Sequence, residues 1–247
     1  MSGSMAGDRG DTRHADRFDR TIDWDGYWAE ADEDDREGAS PSAEYVLEPM
    51  CAYLEETGSP ASFADVGCGA GALAFDVASR HPDATVVGYD AAESVLAENR
   101  IRARERELDA LRFERTVLPA FDPGRQFDVV ASFYTLCYVA DVETALQALY
   151  DAVAPGGSLV LGYHNRLASA QFRRVAEDPE GHLGEDSPWD PDRFEDRFEL
   201  LLAGENLLSY ERIHDALGTW PRSLFAHADA VERHPAWRHN PFVSVPK

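Results

Sequence analysis

From Ala61 onward, the chain alternates between short apolar runs and longer amphipathic segments. This alternation is typical of strands and helices arranged around a parallel sheet. The predicted strands are Ser62 to Val66, Ala84 to Tyr89, Arg112 to Thr116, Phe127 to Phe133 and Ser158 to Tyr163. The predicted helices between them are Gly71 to Arg80, Ala92 to Leu108 and Val142 to Val153. We therefore expect an α/β fold with a mostly parallel sheet and helices on both faces.

The pattern differs on either side of this region. Residues 1–20 offer almost nothing to bury, which predicts a disordered tail. An aromatic short helix over Thr21 to Ala31 follows, and then a second helix that begins at Ser40 or Pro41 and is closed by Gly58. Beyond Tyr163 the sequence predicts a polar loop at Glu177 to Asp192, a strand at Phe198 to Ala203, a helix at Tyr210 to Leu217 and a last strand at Phe242 to Val245. We expect a single domain over 21–247, with a helical cap (21–60), a core (61–165) and a substrate-side insertion with the last strands (166–247).

The charge of the chain excludes some partners. Asp and Glu number 46 against 23 Lys and Arg, which gives a net charge of -23, and Lys247 is the only lysine. Such a surface cannot neutralise phosphates, so neither nucleic acid nor an anionic membrane is an expected partner. The composition resembles that of proteins from extreme halophiles, in which salt screens the self-repulsion. An ordinary acidic bacterial protein is the alternative interpretation.

Cysteine usage and the chain start bear on the compartment. Cys51, Cys68 and Cys137 form no close pair, and the first twenty residues are charged rather than apolar. No apolar run reaches the length of a membrane span. We expect a soluble, cytoplasmic protein. The histidines are too widely spaced for ligand clusters, so no metal site is predicted.

The motif with the clearest chemical meaning is Asp65-Val66-Gly67-Cys68-Gly69-Ala70-Gly71. A strand that leads into a glycine-rich turn and a helix lets the backbone approach a ligand closely. Asp90 stands nineteen residues after Gly71, where a carboxylate can accept ribose hydroxyls. Gly67-x-Gly69-x-x-Ala72 also satisfies the loose dinucleotide fingerprint. Asp65 favours a different ligand, because its charge would repel a pyrophosphate and attract an ammonium group.

With these motifs the chain resembles the class I S-adenosylmethionine-dependent methyltransferases, from about Ser62 to His164. Phe127 to Ser132 is similar to the family's fourth strand, and Ala154-Pro155-Gly156-Gly157 to the segment that introduces its fifth. The resemblance implies a Rossmann-like, doubly wound, seven-stranded sheet. It also implies that the stretch from Asp65 to Gly71, with Asp65, Gly67, Cys68, Gly69 and Gly71, binds the methionine part of S-adenosylmethionine, and that Asp90 binds the ribose. Ala91 is a further expected cofactor-binding residue.

Other site residues are less firmly indicated by the resemblance. Arg115-Thr116-Val117-Leu118-Pro119 lacks the family's usual adenine-binding acid, so the adenine is expected to meet backbone groups of Thr116 to Leu118, including Val117 and Leu118, and apolar side chains. Phe133 is a further expected cofactor-binding residue. Tyr27 resembles an aromatic lid over the cofactor, although plain packing of this segment is the alternative. His164 is the candidate base, with Tyr138 as a second catalytic candidate; a structural hydrogen bond to a loop is the alternative for His164.

The resemblance implies methyl transfer by in-line displacement to a small-molecule acceptor, which we expect to be uncharged or cationic. A protein substrate is the alternative. A different hypothesis is a catalytically inactive S-adenosylmethionine-binding module that acts as a partner subunit or sensor. A monomer or a homodimer is expected. Three tryptophans could line an acceptor pocket or complete the core, namely Trp189, Trp220 and Trp237.

Overall fold

The computed structural model describes residues 20–31, 41–184, 187, 189–227 and 238–247. Side chains in the helix that begins at Pro41 are described from Val46 onward. Apart from Arg20, the predicted tail therefore lies outside the described residues. Trp237 lies outside them as well.

A seven-stranded sheet forms the centre of the described structure, in the order β3-β2-β1-β4-β5-β7-β6. Strands β1 to β5 are parallel, whereas β7 is antiparallel to both β5 and β6. The strands are β1 (Ser62–Val66), β2 (Thr85–Asp90), β3 (Leu111–Arg115), β4 (Phe127–Phe133), β5 (Val153–Gly162), β6 (Arg222–Ser223) and β7 (Phe242–Pro246). The predicted mostly parallel, seven-stranded fold is confirmed.

Helices cover both faces of this sheet. The described helices are α1 (Trp24–Glu30), α2 (Pro41–Thr57), α3 (Ala72–Arg80), α4 (Glu93–Glu105), α5 (Val142–Asp151), α6 (Arg166–Glu177), α7 (Pro179–His182), α8 (Phe194–Arg197), α9 (Glu199–Ala203) and α10 (Tyr210–Leu217). Helices α2, α3 and α4 share one hydrophobic cluster with the sheet, and α5 and α10 share the cluster on the opposite face. The sheet is therefore buried on both sides, which explains the nearly continuous apolar sequences of its central strands.

The segment after β5 differs from its prediction. Phe198 to Ala203 was expected to be a strand, but Glu199–Ala203 is helix α9. Phe194, Phe198 and Leu201 are spaced at helical intervals and are all buried in a third cluster, so period 3.6 describes this run better than period 2. The predicted polar loop at Glu177 to Asp192 contains the short helix α7, and β6 was not predicted. None of the helices in the described ranges is long and apolar enough to cross a bilayer.

Candidate active site

The carboxyl ends of β1 to β4 line one cleft, together with helix α1. Parallel sheets of this kind bind ligands at the carboxyl ends of their strands. The residues that line it include Thr21, Trp24, Trp28, Asp65, Gly67, Cys68, Gly69, Asp90, Ala91, Thr116, Val117, Leu118, Phe133, Tyr134, Thr135, Tyr138 and Arg197. Most of the residues that the sequence nominated for cofactor binding are thus brought together. Gly71, Tyr27 and the candidate base His164 are not among the cleft residues.

The turn after β1 can be built only with glycine at its key positions. Gly67 and Gly69 have φ values of 81° and 48°, which lie in the left-handed region. A Cβ atom on Gly67 would overlap the side chain of Thr135, and one on Gly69 would lie 3.1 Å from the Trp28 indole. Bare backbone therefore faces the cleft between these two side chains. Gly71 has a φ of 79° and precedes α3, so it serves the geometry of the turn.

Asp90, at the end of β2, stabilises this turn by hydrogen bonding. Its Oδ2 accepts a hydrogen bond from the Gly69 amide at 2.8 Å, and its Oδ1 accepts one from the Ala92 amide at 3.0 Å. Burial raises the pKa of the Asp90 carboxyl, while the amide hydrogen bonds oppose that shift. Asp90 thus has a structural partner on each oxygen, in addition to its predicted contact with a ribose.

Two further residues support the turn and were not anticipated from the sequence. Asn99 is fully buried on α4, and its Nδ2 donates to the Gly69 carbonyl at 2.8 Å. Arg102 lies one turn later, and its Nη1 donates to the Ala70 carbonyl at 2.8 Å. Buried backbone carbonyls need such partners. A polar Asn on the inner side of an otherwise apolar helix face was the available signal in the sequence.

Asp65 is the most deeply buried acid of the cleft. It is 4% exposed, and no cation lies within salt-bridge distance of it among the described residues. Burial raises the pKa of its carboxyl to about 7; the nearby Asp90 adds to the shift, and the Ala74 amide opposes it. A buried carboxylate without a counter-ion is costly. A cationic ligand group would remove that cost, as the sequence interpretation of Asp65 requires.

The far side of the cleft, beyond β4, is aromatic. Tyr134 has a φ of 55°, an uncommon conformation for a bulky residue, and its ring stacks on His164 with 5.0 Å between centroids. The Nδ1 of His164 is 2.8 Å from the Oδ1 of Asn240, and burial lowers the pKa of the imidazole to about 4. His164 therefore lies one layer behind Tyr134. Its predicted role as a base stays a prediction.

Helix α1 forms one wall of the cleft. Trp24 and Trp28 line the cleft, whereas Tyr27, the predicted lid residue, packs edge-on against both tryptophans. The Asp25 carboxylate accepts a hydrogen bond from the Ser94 amide at 2.9 Å, which ties α1 to the start of α4. The binding of cofactor by Tyr27 remains a prediction, and the two neighbouring tryptophans are the side chains in direct reach of the cleft.

The three tryptophans discussed for an acceptor pocket do not line the cleft where they are described. Trp189 packs into the third cluster beside Phe172 and Phe194. Trp220 is 55% exposed and stacks on His214. Trp237 lies outside the described residues.

Arg197 is the functional candidate that sequence reasoning missed. It ends α8, is 8% exposed and lines the cleft. Its guanidinium carbon lies 5.0 Å from the Trp24 ring centroid, and its Nε donates to the Tyr138 hydroxyl at 3.4 Å. The signal was its spacing, since Arg197 follows Phe194 by three residues and so falls on the buried stripe of α8.

Comparisons with known proteins agree with this architecture. Residues 64–159 match a family model described as a methyltransferase domain. In solved structures, the plantazolicin methyltransferase BpumL in complex with a desmethylplantazolicin analogue and S-adenosylhomocysteine aligns over 86% of this chain and 87% of its own, with a TM-score of 0.59 and 13% identity. The fold is that of the class I methyltransferases. An O-methyltransferase family protein from Burkholderia thailandensis shares it with a TM-score of 0.55 over 83% of this chain and 56% of its own, at 14% identity.

Curated methyltransferases match about half of this chain. The ubiquinone biosynthesis O-methyltransferase of Brucella anthropi is 31% identical over 132 residues, which are 51% of this chain and 52% of the relative. The demethylmenaquinone methyltransferase of Thermus thermophilus is 38% identical over 103 residues, 42% of this chain and 47% of the relative. The chain thus spans about half the length of the curated relatives it matches.

Proposed function

We propose that this protein is an S-adenosylmethionine-dependent methyltransferase that transfers a methyl group to a small-molecule acceptor by in-line displacement. The main observation behind this proposal is the combination of exposed backbone and a buried carboxylate in the cleft. A glycine turn presents bare backbone between Thr135 and Trp28, and the uncompensated carboxylate of Asp65 lies beside it. The family match and the shared fold support the same conclusion.

The residues of the cleft fit S-adenosylmethionine from one end to the other. Asp65 would attract the amino group of the methionine part, and Asp90 would accept the ribose hydroxyls. The backbone of Thr116 to Leu118, with Ala91, would contact the adenine along the carboxyl end of β3. When bound, the cofactor supplies a methyl group already activated on a sulfonium sulfur. Within that framework the chain has to align the acceptor and exclude water.

Alignment and water exclusion fall to the aromatic residues. Trp24 and Trp28 cover the cleft, and Phe133, Tyr134 and Tyr138 form its wall beyond β4. The Tyr138 phenol is protonated at neutral pH, and burial raises its pKa further. Its hydroxyl can therefore donate a hydrogen bond to the methyl acceptor. Tyr138 would therefore orient the acceptor. Any role of Tyr138 or His164 in proton removal is a separate prediction.

Replacing Asp90 by Asn tests the cofactor assignment. We expect the affinity for S-adenosylhomocysteine to fall by roughly 10- to 100-fold, because hydrogen bonds to a charged acceptor contribute about 1.5–3 kcal/mol each. Isothermal titration calorimetry measures this. Asp128→Asn is the matched control, since the Asp128 carboxylate also accepts two backbone amides, those of Ala61 and Ser62, but at the opposite end of β1.

The control should bind the product cofactor within about twofold of the wild type. Equal affinities of the wild type and Asp90→Asn would contradict the site. Transfer of a labelled methyl group to a small-molecule fraction of a cell extract completes the test of function. Tight binding of S-adenosylmethionine without any transfer would instead indicate the inactive binding module.

We further propose that residues 21–247 form one methyltransferase domain that works in the cytoplasm at high salt, as a monomer or homodimer. The three cysteines are unpaired, and acids outnumber bases by 46 to 23. Because salt screens repulsion among these acids, the melting temperature is expected to rise by several degrees or more between about 0.1 M and 2 M KCl. Differential scanning calorimetry measures this shift. A melting temperature that is flat or falls over that range would contradict the halophilic assignment.

A further inference from the structure

Arg197 places a positive charge in the wall of the cleft, away from solvent. The residue is 8% exposed, and its guanidinium lies over the rings of Trp24 and Tyr27 at 5.0 and 5.2 Å. Its Nε donates a weak hydrogen bond to the Tyr138 hydroxyl at 3.4 Å. All of these contacts are with aromatic or phenolic groups.

No carboxylate balances this charge in the part of the chain that the structure describes. Among the acids close to it in sequence, Glu199 forms an ion pair with Arg20 at 2.6 Å, and Glu195 and Asp196 are exposed. The Tyr138 phenol is neutral at neutral pH, as phenols ordinarily are, and burial raises its pKa further. Burying a cation among neutral groups is unfavourable by several kcal/mol, so the arrangement is best explained by an anion that arrives with a ligand.

A second polar group in the same cleft also lacks a partner. The Oγ1 atom of Thr21 is buried and makes no hydrogen bond, and Thr21 lines the cleft together with Arg197. Buried hydroxyls are nearly always hydrogen-bonded in native proteins. Two independent groups in one cleft therefore lack polar partners among the residues that the structure describes.

The position of Arg197 assigns the anion to the acceptor rather than to the adenosine end. Asp90 ends β2 and Thr116 to Leu118 follow β3, and both strands lie on one side of β1 in the sheet order. Arg197 contacts Tyr138, which follows β4 on the other side of β1. The surrounding wall consists of the aromatic rings of Trp24, Phe133 and Tyr138, which favour a flat, unsaturated partner.

We propose that Arg197 binds a carboxylate of the methyl acceptor, and that the acceptor is a small aromatic acid. The inference rests on the proposed methyltransferase function, and it replaces the uncharged or cationic acceptor that the sequence alone led us to expect. A guanidinium presents two parallel N–H groups that match the two oxygens of a carboxylate, so it binds that group with more directional specificity than an ammonium does. The aromatic wall would receive the ring, and the cofactor side of the cleft would face the atom to be methylated.

The test is calorimetric titration of the full-length protein, saturated with S-adenosylhomocysteine, with a panel of acid and amide pairs. The panel contains benzoate, 4-hydroxybenzoate, phenylacetate and indole-3-acetate, each with its primary amide. At least one acid is expected to bind about tenfold or more tightly than its amide, since a buried charge-assisted hydrogen bond is lost in the amide. If no acid binds more tightly than its amide, the proposal is overturned.

Two variants assign the preference to Arg197. In Arg197→Met the acid-to-amide ratio should fall to about one, and in Arg197→Lys it should stay above one but below the wild-type value. Should Arg197→Met fail to fold, Arg197→Lys carries the test, because an unchanged ratio in it would overturn the bidentate contact. The stability of Arg197→Met should match or exceed that of the wild type if the unpaired charge is a cost.

The cofactor's own carboxylate is the competing source of the anion. Affinity for S-adenosylhomocysteine should stay within about twofold in Arg197→Met. A large loss for S-adenosylhomocysteine with none for 5′-methylthioadenosine, which lacks that carboxylate, would place the cofactor on Arg197 and overturn the proposal. Failure of the wild type to bind S-adenosylhomocysteine at all would instead contradict the proposed function, so the two failures are distinguishable.

Discussion

Replacing Gly67 by Ala is expected to lower the free energy of unfolding by about 3 kcal/mol or more and to abolish cofactor binding. Two costs add. The residue has a φ of 81°, where any side chain is strained by about 1–2 kcal/mol, and the new Cβ would overlap Thr135. Relief of the overlap would move the turn away from the cleft. Urea unfolding and titration with S-adenosylhomocysteine measure the two effects.

Gly156→Ala is the matched control for backbone strain alone. Gly156 has a φ of 85°, but a Cβ there would meet nothing within 4 Å. The Gly156→Ala substitution should therefore lower the free energy of unfolding by only about 1–2 kcal/mol and leave cofactor affinity unchanged. The double variant Gly67→Ala/Thr135→Gly should recover part of the lost stability relative to the sum of the single changes. Equal losses in Gly67→Ala and Gly156→Ala would show that close packing against Thr135 is not what demands a glycine.

The central strands could be predicted from the sequence because burial on both faces leaves an apolar run with few interruptions. β1 and β4 were predicted with the observed bounds, and β2 and β3 within one residue. The glycine turn was recognisable for a similar reason, since its backbone geometry restricts residue type locally. Strand burial and turn geometry both restrict the residue types at neighbouring positions, so these features can be predicted from a single sequence.

The acceptor side of the cleft depends on contacts between distant residues, and sequence reasoning failed there. His164 does follow β5 as expected, yet its ring is turned by Asn240 and Tyr134, which are remote in sequence. Arg197 reads as a surface residue because arginines are mostly exposed. Its spacing three residues after Phe194 is a weak signal of burial, and the packing of α8 against Trp24 and Tyr138 shows that Arg197 is buried.

Replacing Asp65 by Asn is expected to stabilise the protein while it destroys cofactor binding. The folded-state pKa of Asp65 is about 7, whereas an unfolded Asp has a pKa of about 3.9. The folded state therefore binds the proton more tightly, so the contribution of Asp65 to stability falls as the pH rises from about 4 to 7 and stays low above pH 7. At pH 8, Asp65→Asn should be more stable than the wild type by about 4 kcal/mol, and at pH 4.5 by only about 1 kcal/mol.

The same carboxylate should make cofactor binding pH-dependent. Only ionised Asp65 attracts an ammonium group, so wild-type affinity for S-adenosylhomocysteine is expected to rise as the pH increases from 6 to 8, through the pKa of about 7. Asp65→Asn should bind on the order of 100-fold more weakly at pH 8 and show little of this rise. Urea unfolding and calorimetry at several pH values measure both changes.

Asp141→Asn provides the matched control. Asp141 is an exposed N-cap whose carboxylate accepts the Thr144 amide, and asparagine caps helices equally well. Neither stability nor affinity should change in that variant at any pH. Asp65→Asn would contradict the assignment if it lost stability at pH 8 or kept its affinity. In Asp65→Asn we expect stability to increase and cofactor affinity to decrease. Opposite changes of this kind would mean that the buried carboxylate of Asp65 destabilises the fold and is required for its charge in cofactor binding.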